Sequence, residues 1–450
     1  MGVPCRGSGR LARPDQPHHL LLTSQRPLEP RVRTVAEHLE AVLALVEPLP
    51  PVGTELEDAL GAVLAQDVRA DDALPHWDCS AMDGYAVRAG DLLGAGPSSP
   101  VRLRVVADLP AGSGAEPVLA LGSAARIMTG APIPAGADAV VPVEQSDGGV
   151  EHVVLTQAPA LGAHIRRAGE DVRPGDLVLA AGTWLGPAQL AAAASVGAGR
   201  LQVHRRPRVA VLSTGAELVP PGRSLTYGQI HDSNSYLLAA AVREAGCDAV
   251  RVGAVPDDPA ALAEALDAAE QQADLVVTSG GVSMGAYDVV KQLLAGRTGI
   301  DFVRVAMQPG KPQGLGRLRS GTPLLALPGN PVSAFVSFHM FVRPALRRLA
   351  GHRDAAPAVR EALVEDAWRT PESRAQVMPV VLVDTAAGDG ALRVRRAVEG
   401  GSGSHLVASL ARAHGLAVVP AAVQDVRPGD RVEVLITAPE LVPSSAGSPR

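Results

Sequence analysis

Between Arg208 and Gly351 the sequence alternates short apolar runs with longer amphipathic segments, and this alternation constrains the fold more than any other feature. The apolar runs have the length of strands, whereas the segments between them have the 3.6-residue spacing of helices. Such alternation predicts a doubly wound, mostly parallel α/β sheet with right-handed crossovers. In that architecture ligands bind beyond the carboxyl ends of the strands.

One turn in this region has the sequence LVVTSGGVSMGAYDVVK, at residues 275–291. Its first three residues form an apolar run typical of a strand covered on both faces, and Gly280 and Gly281 allow backbone angles that a side chain would forbid. A helix is predicted to follow, with Asp288 at its start, where a carboxylate can act as a helix cap. We expect any chemistry to lie directly after this strand.

Four other polar loops follow predicted strands in the same way. They are Ser213-Thr214-Gly215 with Glu217, Asp257-Asp258, Pro309-Gly310-Lys311 and Pro328-Gly329-Asn330. Because the carboxyl ends of parallel strands meet at one edge of a sheet, we expect all five loops to form one rim. Glycine turns and helix N-termini bind anions, whereas carboxylates repel phosphate unless a divalent cation lies between them. The rim therefore suggests a phosphorylated ligand bridged by Mg²⁺, and helix capping by each carboxylate remains the structural alternative.

Lysine is rare in this chain, since only two of its 41 basic residues, Lys291 and Lys311, are not arginine. Lys311 lies between Gly310 and Pro312, where neither a helix face nor salt-bridge spacing explains it, and a compact ammonium suits an oxyanion. Chance survival on the surface is the other explanation for both lysines. No Walker or Rossmann loop occurs, so nucleotide binding through either loop is disfavoured.

Composition excludes several classes of protein. The formal net charge is −6 and aromatic residues make up 2% of the chain, so neither a basic stripe nor a stacking platform for nucleic acid is expected. No apolar run before residue 30 has the length of a signal peptide or membrane span. Three scattered cysteines support neither a disulfide framework nor a cysteine zinc site, and a cytoplasmic location is expected.

The first part of the chain is predicted to be mixed. Helices are expected at Thr34–Val46, with Thr34 and Glu37 as a capping box, at Glu57–Ala65 and at Pro187–Val196. Residues 100–157 contain short β-type runs separated by Gly, Pro and Asp, and residues after 351 are mostly β-type again.

Two loops of the β-rich first part contain candidate polar residues. The loop at 74–91 contains Asp83-Gly84, which as a local turn would have Asp83 bonded to its own backbone and Gly84 at positive φ. The turn at 128–134 contains Thr129, whose hydroxyl by itself most often satisfies nearby backbone. Taken alone, both residues are better explained by local structure than by function.

These patterns divide the chain into predicted units. We expect disordered tails at 1–30 and 441–450, a domain boundary near residue 207, an α/β domain at 207–351 and a β-rich domain at 352–440.

Seven motifs together closely resemble the MoeA family of molybdopterin molybdenumtransferases, whose eukaryotic relative is the E domain of gephyrin. They are SAMDGYAV at 80–87, RIMTGAPIP at 126–134, RRAGEDV at 166–172, STGAEL at 213–218, TSGGVSMGAYD at 278–288, PGKP at 309–312 and LPGNPVSA at 327–334. The similarity extends from about residue 31 to about residue 439.

The resemblance implies a late step of molybdenum-cofactor synthesis. Adenylylated molybdopterin would be hydrolysed, AMP would leave, and molybdate would enter the dithiolene with the help of Mg²⁺. It also implies an elongated homodimer of four-domain subunits. Domain I would be a discontinuous linker domain at 31–69 and 164–206, domain II a β-rich domain at 70–163, domain III the α/β domain at 207–351, which would bind molybdopterin, and domain IV a C-terminal domain at 352–440 that resembles a β-barrel. The cleft would lie between domain III and a β-rich domain of the other subunit. The enzyme that adenylylates molybdopterin is an implied partner.

The family's functional residues carry over onto matching positions of this sequence. Those of the catalytic set are Asp83, Thr129, Glu217, Asp257, Asp288 and Lys311, of which Glu217, Asp257 and Asp288 would bind Mg²⁺. Those that would hold molybdopterin or molybdate are Ser279, Gly280, Gly281, Ser283, Arg304, Gln308, Pro328, Pro331 and Ser404. Asp171 matches an acidic residue of the RRAGEDV motif.

The sequence departs from a common family pattern at two of these positions. Where that pattern has lysine twice in the strand before PGKP, this chain has Arg304 and Gln308. Attraction of the oxyanion would therefore depend more on Lys311 and Arg304. A protein of this fold that binds molybdopterin or acts as a scaffold without turnover is the alternative to an enzyme.

Overall fold

The computed structural model describes residues 1–2, 32–282, 289–294, 299–383, 391–398 and 407–438. The predicted tails at 1–30 and 441–450 lie outside these ranges, apart from the first two residues. In the described ranges, no helix combines the length and apolar character needed to cross a bilayer.

The described residues up to 206 form two α-helices and many short strands. Their bounds are β1 Val32–Arg33, α1 Val35–Ala44, β2 Pro51–Glu55, β3 Val68–Arg69, β4 Cys79–Ser80, β5 Gly84–Val87, β6 Val101–Leu109, β7 Ser123–Ile127, β8 Ala139–Pro142, β9 His152–Leu155, β10 Ile165–Arg166, β11 Leu177–Leu179, α2 Pro187–Ser195 and β12 Arg200–His204. Three 3₁₀ helices accompany them at Leu56–Asp58, Ala89–Leu92 and Val143–Gln145. Helix α1 begins with the predicted capping box, because Thr34 Oγ1 accepts from Glu37 N and Glu37 Oε2 accepts from Thr34 N.

The predicted helix at Glu57–Ala65 is wrong. Only a single 3₁₀ turn forms there, and the chain then continues as isolated β-bridges from Val63 to Trp184 and from Leu64 to Val203. Gly61 has a φ of +78°, a left-handed angle that ends any helix at that point. Ala59, Ala62 and Leu64, which suggested a helix, are instead buried against strands β11 and β12, whereas Leu60 is half exposed.

Two pairings connect the segments at 31–69 and 164–206. Strand β2 pairs with β12 and strand β3 pairs with β11, both antiparallel. Between these segments, strands β8, β5, β7, β6 and β9 form a five-stranded sheet in that order. Tyr85 and Val87 point into its core and are fully buried.

Most of the helices in the described residues lie in the α/β region. Its elements are β13 Arg208–Thr214, β14 Leu218–Val219, β15 Ile230–His231, α3 Asn234–Glu244, β16 Asp248–Val255, α4 Pro259–Glu270, β17 Leu275–Ser279, α5 Val289–Leu294, β18 Ile300–Val305, β19 Met307–Gln308, β20 Pro312–Arg317, β21 Pro323–Leu327, α6 Pro331–Ser337, a π-helical turn Phe338–Val342 and α7 Arg343–Leu349. The main sheet has the order β1, β18, β20, β21, β17, β13, β16, and only β20 runs against the others. The predicted mostly parallel sheet is confirmed.

Strand β20 was not predicted, because its sequence PQGLGR has neither β-branched residues nor a clear alternation. Gly314 lies between Phe302 and Ala326, where an added Cβ would be 3.0 Å from each side chain. Glycine therefore permits a tightly packed central strand, although its propensity argues against a strand.

The last unit is a closed barrel. Its elements are β22 Val359–Val364, β23 Trp368–Arg369, β24 Ala375–Val383, β25 Arg393–Arg396, α8 Val407–Leu410, β26 Gly415–Val419, β27 Asp425–Val426 and β28 Arg431–Ile436. Strands β24, β25, β22, β28 and β26 pair in turn, and β26 pairs again with β24, which closes a five-stranded barrel. The barrel is joined to the α/β region by pairing of β19 with β24. The predicted barrel-like domain is confirmed, although β22 was not recognised from sequence.

Candidate active site

The sheet topology places the predicted loops at one edge. Strands β13, β16, β17, β18 and β21 run in the same direction, since β20 is antiparallel to both β18 and β21. The loops after these five strands contain the residues predicted for the rim. We use "rim" below for the described residues 213–217, 257–258, 279–281, 309–311 and 328–330.

The two acidic residues at 257 and 258 have different structural roles. Asp258 caps helix α4, because its Oδ1 accepts from Ala261 N at 2.8 Å. Asp257 Oδ2 instead accepts from Ala216 N at 3.0 Å and so links the loop after β16 to the loop after β13. Asp258 is therefore used for helix capping, whereas Asp257 is not.

Glu217 is positioned through its backbone. Its carbonyl accepts from Ile230 N at 2.9 Å, beside the short parallel pairing of β14 and β15. The side chains of Glu217 and Asp257 are both exposed. A hard cation prefers such oxygen ligands, and one or two carboxylates suffice for Mg²⁺ when substrate phosphates complete the coordination.

The glycine turn after β17 is fixed by a residue that sequence reasoning missed. Asn234, the first residue of α3, is buried and donates from Nδ2 to Ser279 Oγ at 2.7 Å and to Gly329 O at 2.6 Å. Ser279 Oγ in turn donates to Pro328 O at 3.2 Å. Ser279 therefore lies inside the turn and holds it, and its hydroxyl does not face solvent. The signal available from sequence was a polar residue opening a helix directly after Asp232-Ser233.

Several buried hydroxyl groups lie beside this turn. Ser213 Oγ, Thr214 Oγ1 and Thr278 Oγ1 have no hydrogen-bond partner among the described residues. They lie at the carboxyl ends of the adjacent strands β13 and β17. Because an unpaired buried polar group costs about 1–3 kcal/mol, their concentration at this edge is unusual for a purely structural region.

The PGKP loop is supported by a buried amide. Gln313 Nε2 donates to Gly310 O and to Ser337 Oγ, both at 2.7 Å, and the backbone carbonyl of Lys311 accepts from Val305 N. The side chain of Lys311 is exposed, and within the described residues it forms no ion pair. This arrangement presents one ammonium group on a fixed loop.

The two residues that depart from the family pattern occupy different surroundings. Arg304 is half-buried in β18, where it pairs with Val32 and Pro312. Gln308 lies in β19 opposite Gln376 of the barrel strand β24. Position 308 is thus part of the connection between the α/β region and the barrel.

The loop around Asp83 is organised by hydrogen bonds to Thr129. Asp83 Oδ1 accepts from Thr129 N at 2.7 Å and from Thr129 Oγ1 at 2.8 Å. Both bonds hold the pKa of the Asp83 carboxyl below its ordinary value, and the bond from the Thr129 backbone N–H has the larger effect. The local turn predicted for Asp83-Gly84 is therefore wrong. Gly84 lies in strand β5, and its Cα directly faces the Val141 carbonyl, where no side chain fits.

The RRAGEDV segment is hydrogen-bonded to residues 78–80 of this loop. Arg167 donates to Asp78 Oδ2 at 2.6 Å and Ala168 N donates to Asp78 Oδ1 at 2.9 Å, while β10 pairs with β4. The Ala168 N–H first, and the Arg167 charge and hydrogen bond after it, lower the pKa of the Asp78 carboxyl. Asp171 is exposed and contributes its backbone N–H to Leu74 O. Asp78 and Arg167 were not predicted as site residues.

Three predicted site residues lie outside the described residues, namely Ser283, Asp288 and Ser404. The two predicted prolines are described: Pro328 is buried in its turn, and Pro331 is the first residue of helix α6. Among the described residues, no three carboxylate, histidine or cysteine side chains come together as a metal site. Glu217 and Asp257 are the described members of the predicted Mg²⁺ set, and their exposed oxygens suit such an ion.

Family models cover nearly all of the described chain. The model "MoeA N-terminal region (domain I and II)" matches residues 33–197, "Probable molybdopterin binding domain" matches 210–348, and "MoeA C-terminal region (domain IV)" matches 361–437. All three matches fall in the order in which the predicted domains occur.

Relatives that cover between 69% and 90% of this chain lead to the same family. Molybdopterin molybdenumtransferase 2 of Mycobacterium tuberculosis is 46% identical over 409 residues, which are 90% of this chain and 99% of that protein. Molybdopterin molybdenumtransferase of Haemophilus influenzae is 40% identical over 317 residues, covering 69% of this chain and 76% of that protein. A crystal structure of the molybdopterin biosynthesis MoeA protein from Pyrococcus horikoshii OT3 is similar with a TM-score of 0.76 and 27% identity, over 90% of this chain and 100% of that one.

Proposed function

This chain belongs to the MoeA family, and we propose that it inserts molybdenum into molybdopterin, using the adenylylated form with Mg²⁺ and releasing AMP. The observation that carries the proposal is the rim, where exposed carboxylates lie at the same sheet edge as two glycine turns and a lysine loop. Glycine turns suit phosphate oxygens, and the carboxylates suit a cation that neutralises those oxygens.

Within this proposal Glu217, Asp257 and Asp288 hold Mg²⁺ directly or through water. The ion would neutralise phosphate charge and favour departure of AMP. Ser279 keeps the turn in shape, so that Gly280 and Gly281 can approach the ligand with their backbone. Lys311 and Arg304 attract the molybdate anion, and the uncharged Gln308 leaves this attraction weaker than a lysine there would.

The second wall of the cleft is proposed to come from another subunit. Asp83 and Thr129 form a separate, exposed pair in the β-rich sheet, and their described hydrogen bonds do not reach the α/β region. In a homodimer these side chains would face the rim of the partner subunit. Ser404 and Ser283 complete the proposed ligand contacts, and the adenylylating enzyme is a proposed partner that supplies the substrate.

A cytoplasmic location is part of the proposal. Cys79 and Cys247 are buried free thiols, and burial raises the pKa of the Cys247 thiol to about 12. Cysteines that are not paired in disulfides are typical of proteins in a reducing compartment.

The test is a turnover assay with purified protein, adenylylated molybdopterin, Mg²⁺ and molybdate, in which AMP and active cofactor are measured separately. We expect both products, with loss of both when Mg²⁺ is chelated or when Asp257→Asn replaces the carboxylate. AMP without active cofactor would limit the protein to hydrolysis. Binding of molybdopterin with neither product would support the non-catalytic scaffold instead.

The role of Lys311 is tested in the same assay. Because a charge-assisted hydrogen bond contributes about 1.5–3 kcal/mol, Lys311→Ala should raise the molybdate concentration for half-maximal cofactor formation roughly tenfold or more. The matched control is Arg319→Ala, which removes an exposed cation in the turn from β20 to β21, at the opposite edge of the sheet. An unchanged molybdate dependence in Lys311→Ala would show that Lys311 does not contact the anion.

A further inference from the structure

A cavity lined by both basic and apolar residues lies where the α/β region meets the barrel. Its volume is about 90 Å³, and it is lined by the end of the α6–α7 helical segment, the linker that follows and strand β28. His339, Arg343 and Arg347 line it from the helical side, and Ile436 lines it from the barrel. We call it the junction cavity. Within the described residues its lining contains no carboxylate.

His339 is the histidine of this lining. It lies in the π-helical turn Phe338–Val342, a type of distortion that is frequent at functional sites. Burial, with a smaller effect from the nearby Arg343 charge, lowers the pKa of His339 to about 3, so the ring is neutral. Arg343 NH1 lies 3.5 Å from Nδ1 and can only donate, which assigns the ring proton to Nε2. Nε2 is buried and has no partner among the described residues.

The two arginines add positive charge that is only partly compensated. Arg347 donates from Nε and NH2 to Asp354 O, at 3.1 and 2.9 Å, and its NH1 group takes no part in these two bonds. Arg343 lies 3.6 Å from Glu244 Oε1, whose side chain is half exposed, and such a surface pair is weak. Asp354 uses Oδ1 to accept from Ala356 N. Neither Glu244 nor Asp354 is among the residues that line the cavity.

We propose that the junction cavity binds a small tetrahedral oxyanion, held by the guanidinium groups of Arg343 and Arg347 together with the His339 side chain. Guanidinium groups and neutral N–H donors select an acceptor with several oxygens, and they repel cations. The volume suits such an anion or a few waters and is well below the roughly 300–1,000 Å³ of pockets for drug-sized ligands.

An anion at this position would stabilise the connection between the two units. Arg343 and Arg347 belong to the α/β region, the Arg347 bonds reach the linker at Asp354, and Ile436 belongs to the barrel. Burial first, and repulsion from Arg343 in addition, depress the pKa of Arg347, while the Asp354 charge opposes this shift. A bound anion would relieve the repulsion between the two arginines. This inference does not depend on the proposed reaction, because its test reads binding alone.

The experiment measures binding of sodium phosphate, sulfate and molybdate to the full chain by calorimetry, with ionic strength held constant by sodium chloride. All proteins carry Lys311→Ala, which removes one of the two cations proposed to attract an anion at the rim. Arg304 remains in all of them, so binding at the junction cavity is identified by its loss in the arginine variants below. We expect such a saturable site with a dissociation constant on the order of 1 mM or tighter for at least one of the three anions. The relative affinities identify which anion the site prefers.

Arg347→Gln should weaken this binding at least tenfold, because it removes one of the two cations that line the cavity. The matched control is Arg348→Gln, an exposed neighbour on the same helix that does not line the cavity, and its binding should stay within twofold. Arg343→Gln is a second test that leaves the Arg347 contacts with the linker in place, and it too should weaken binding. The absence of saturable binding, or an equal loss in Arg348→Gln, would overturn the proposal.

Discussion

The glycine turns of the α/β region and the Asp83 loop of the β-rich sheet belong to the same proposed cleft, but they are stabilised in different ways. The turns are cross-linked by buried groups, with Asn234 bonded to Ser279 and to Gly329. The loop depends on an exposed carboxylate bonded to Thr129. Buried cross-links contribute to folding as well as to function, whereas exposed ones adjust chemistry at little cost in stability. Mutations in the glycine turns should therefore reduce stability, whereas mutations in the Asp83 loop should change activity with little effect on stability.

The largest effect is expected for Gly280→Ala. The φ of Gly280 is +103°, and an added Cβ would lie 2.5 Å from the Thr214 carbonyl oxygen. Strain and overlap with backbone should lower the free energy of unfolding of the α/β region by about 3 kcal/mol or more. Urea unfolding followed by circular dichroism measures this change.

Gly329→Ala is the matched control in the facing turn. Its added Cβ would lie 3.4 Å from Gly280 Cα, which is ordinary contact, and its φ is not in the left-handed region. We expect a change within about 0.5 kcal/mol. Equal losses in both variants would mean that the close approach of Gly280 to Thr214 is not what shapes the turn.

A smaller loss is expected for Asn234→Ala. The substitution leaves Ser279 Oγ and the Gly329 carbonyl without their common donor, which should cost about 2 kcal/mol of stability and also reduce AMP release. The urea midpoint and the AMP assay are measured on the same protein. Ser233→Ala is the control, because the Ser233 side chain makes no capping bond, and its stability should change by less than about 0.5 kcal/mol. Full stability of Asn234→Ala would refute the cross-link.

The elements that sequence predicted well are those whose signals are local. Helix α1 was recognised from Thr34 and Glu37, since a capping box requires only residues three positions apart. The common edge of the rim loops followed from strand direction, which the strand–helix alternation determines. The helix expected at 57–65 failed because the apolar spacing there serves packing against strands distant in sequence.

The contacts that sequence could not reveal are those between residues far apart in the chain. Asn234 reaches Ser279 across 45 positions, and Arg167 reaches Asp78 across 89. No spacing rule relates such pairs. The same limit applies to Asp257 and Asp258, because their different partners depend on where the loop after β13 passes. Residue type indicated the chemistry, while tertiary contact decided which carboxylate is used for capping.

The smallest effect, and the sharpest test of the exposed wall, is a pH shift in Thr129→Val. Because hydrogen bonds from Thr129 depress the pKa of Asp83, activity that requires the Asp83 carboxylate should be lost only as pH falls through that lowered pKa. Valine removes the hydroxyl donor and keeps the backbone N–H, so the pKa rises and the acid limb of the AMP-release profile moves to higher pH. Thr129→Ser retains a hydroxyl and should leave that limb in place, and both variants should unfold within about 0.5 kcal/mol of the parent. An acid limb that stays at the same pH in Thr129→Val would mean that the Asp83 carboxylate does not control turnover. A large loss of stability in this variant would mean that the exposed Asp83–Thr129 bonds contribute to folding as much as the buried bonds of the glycine turns do.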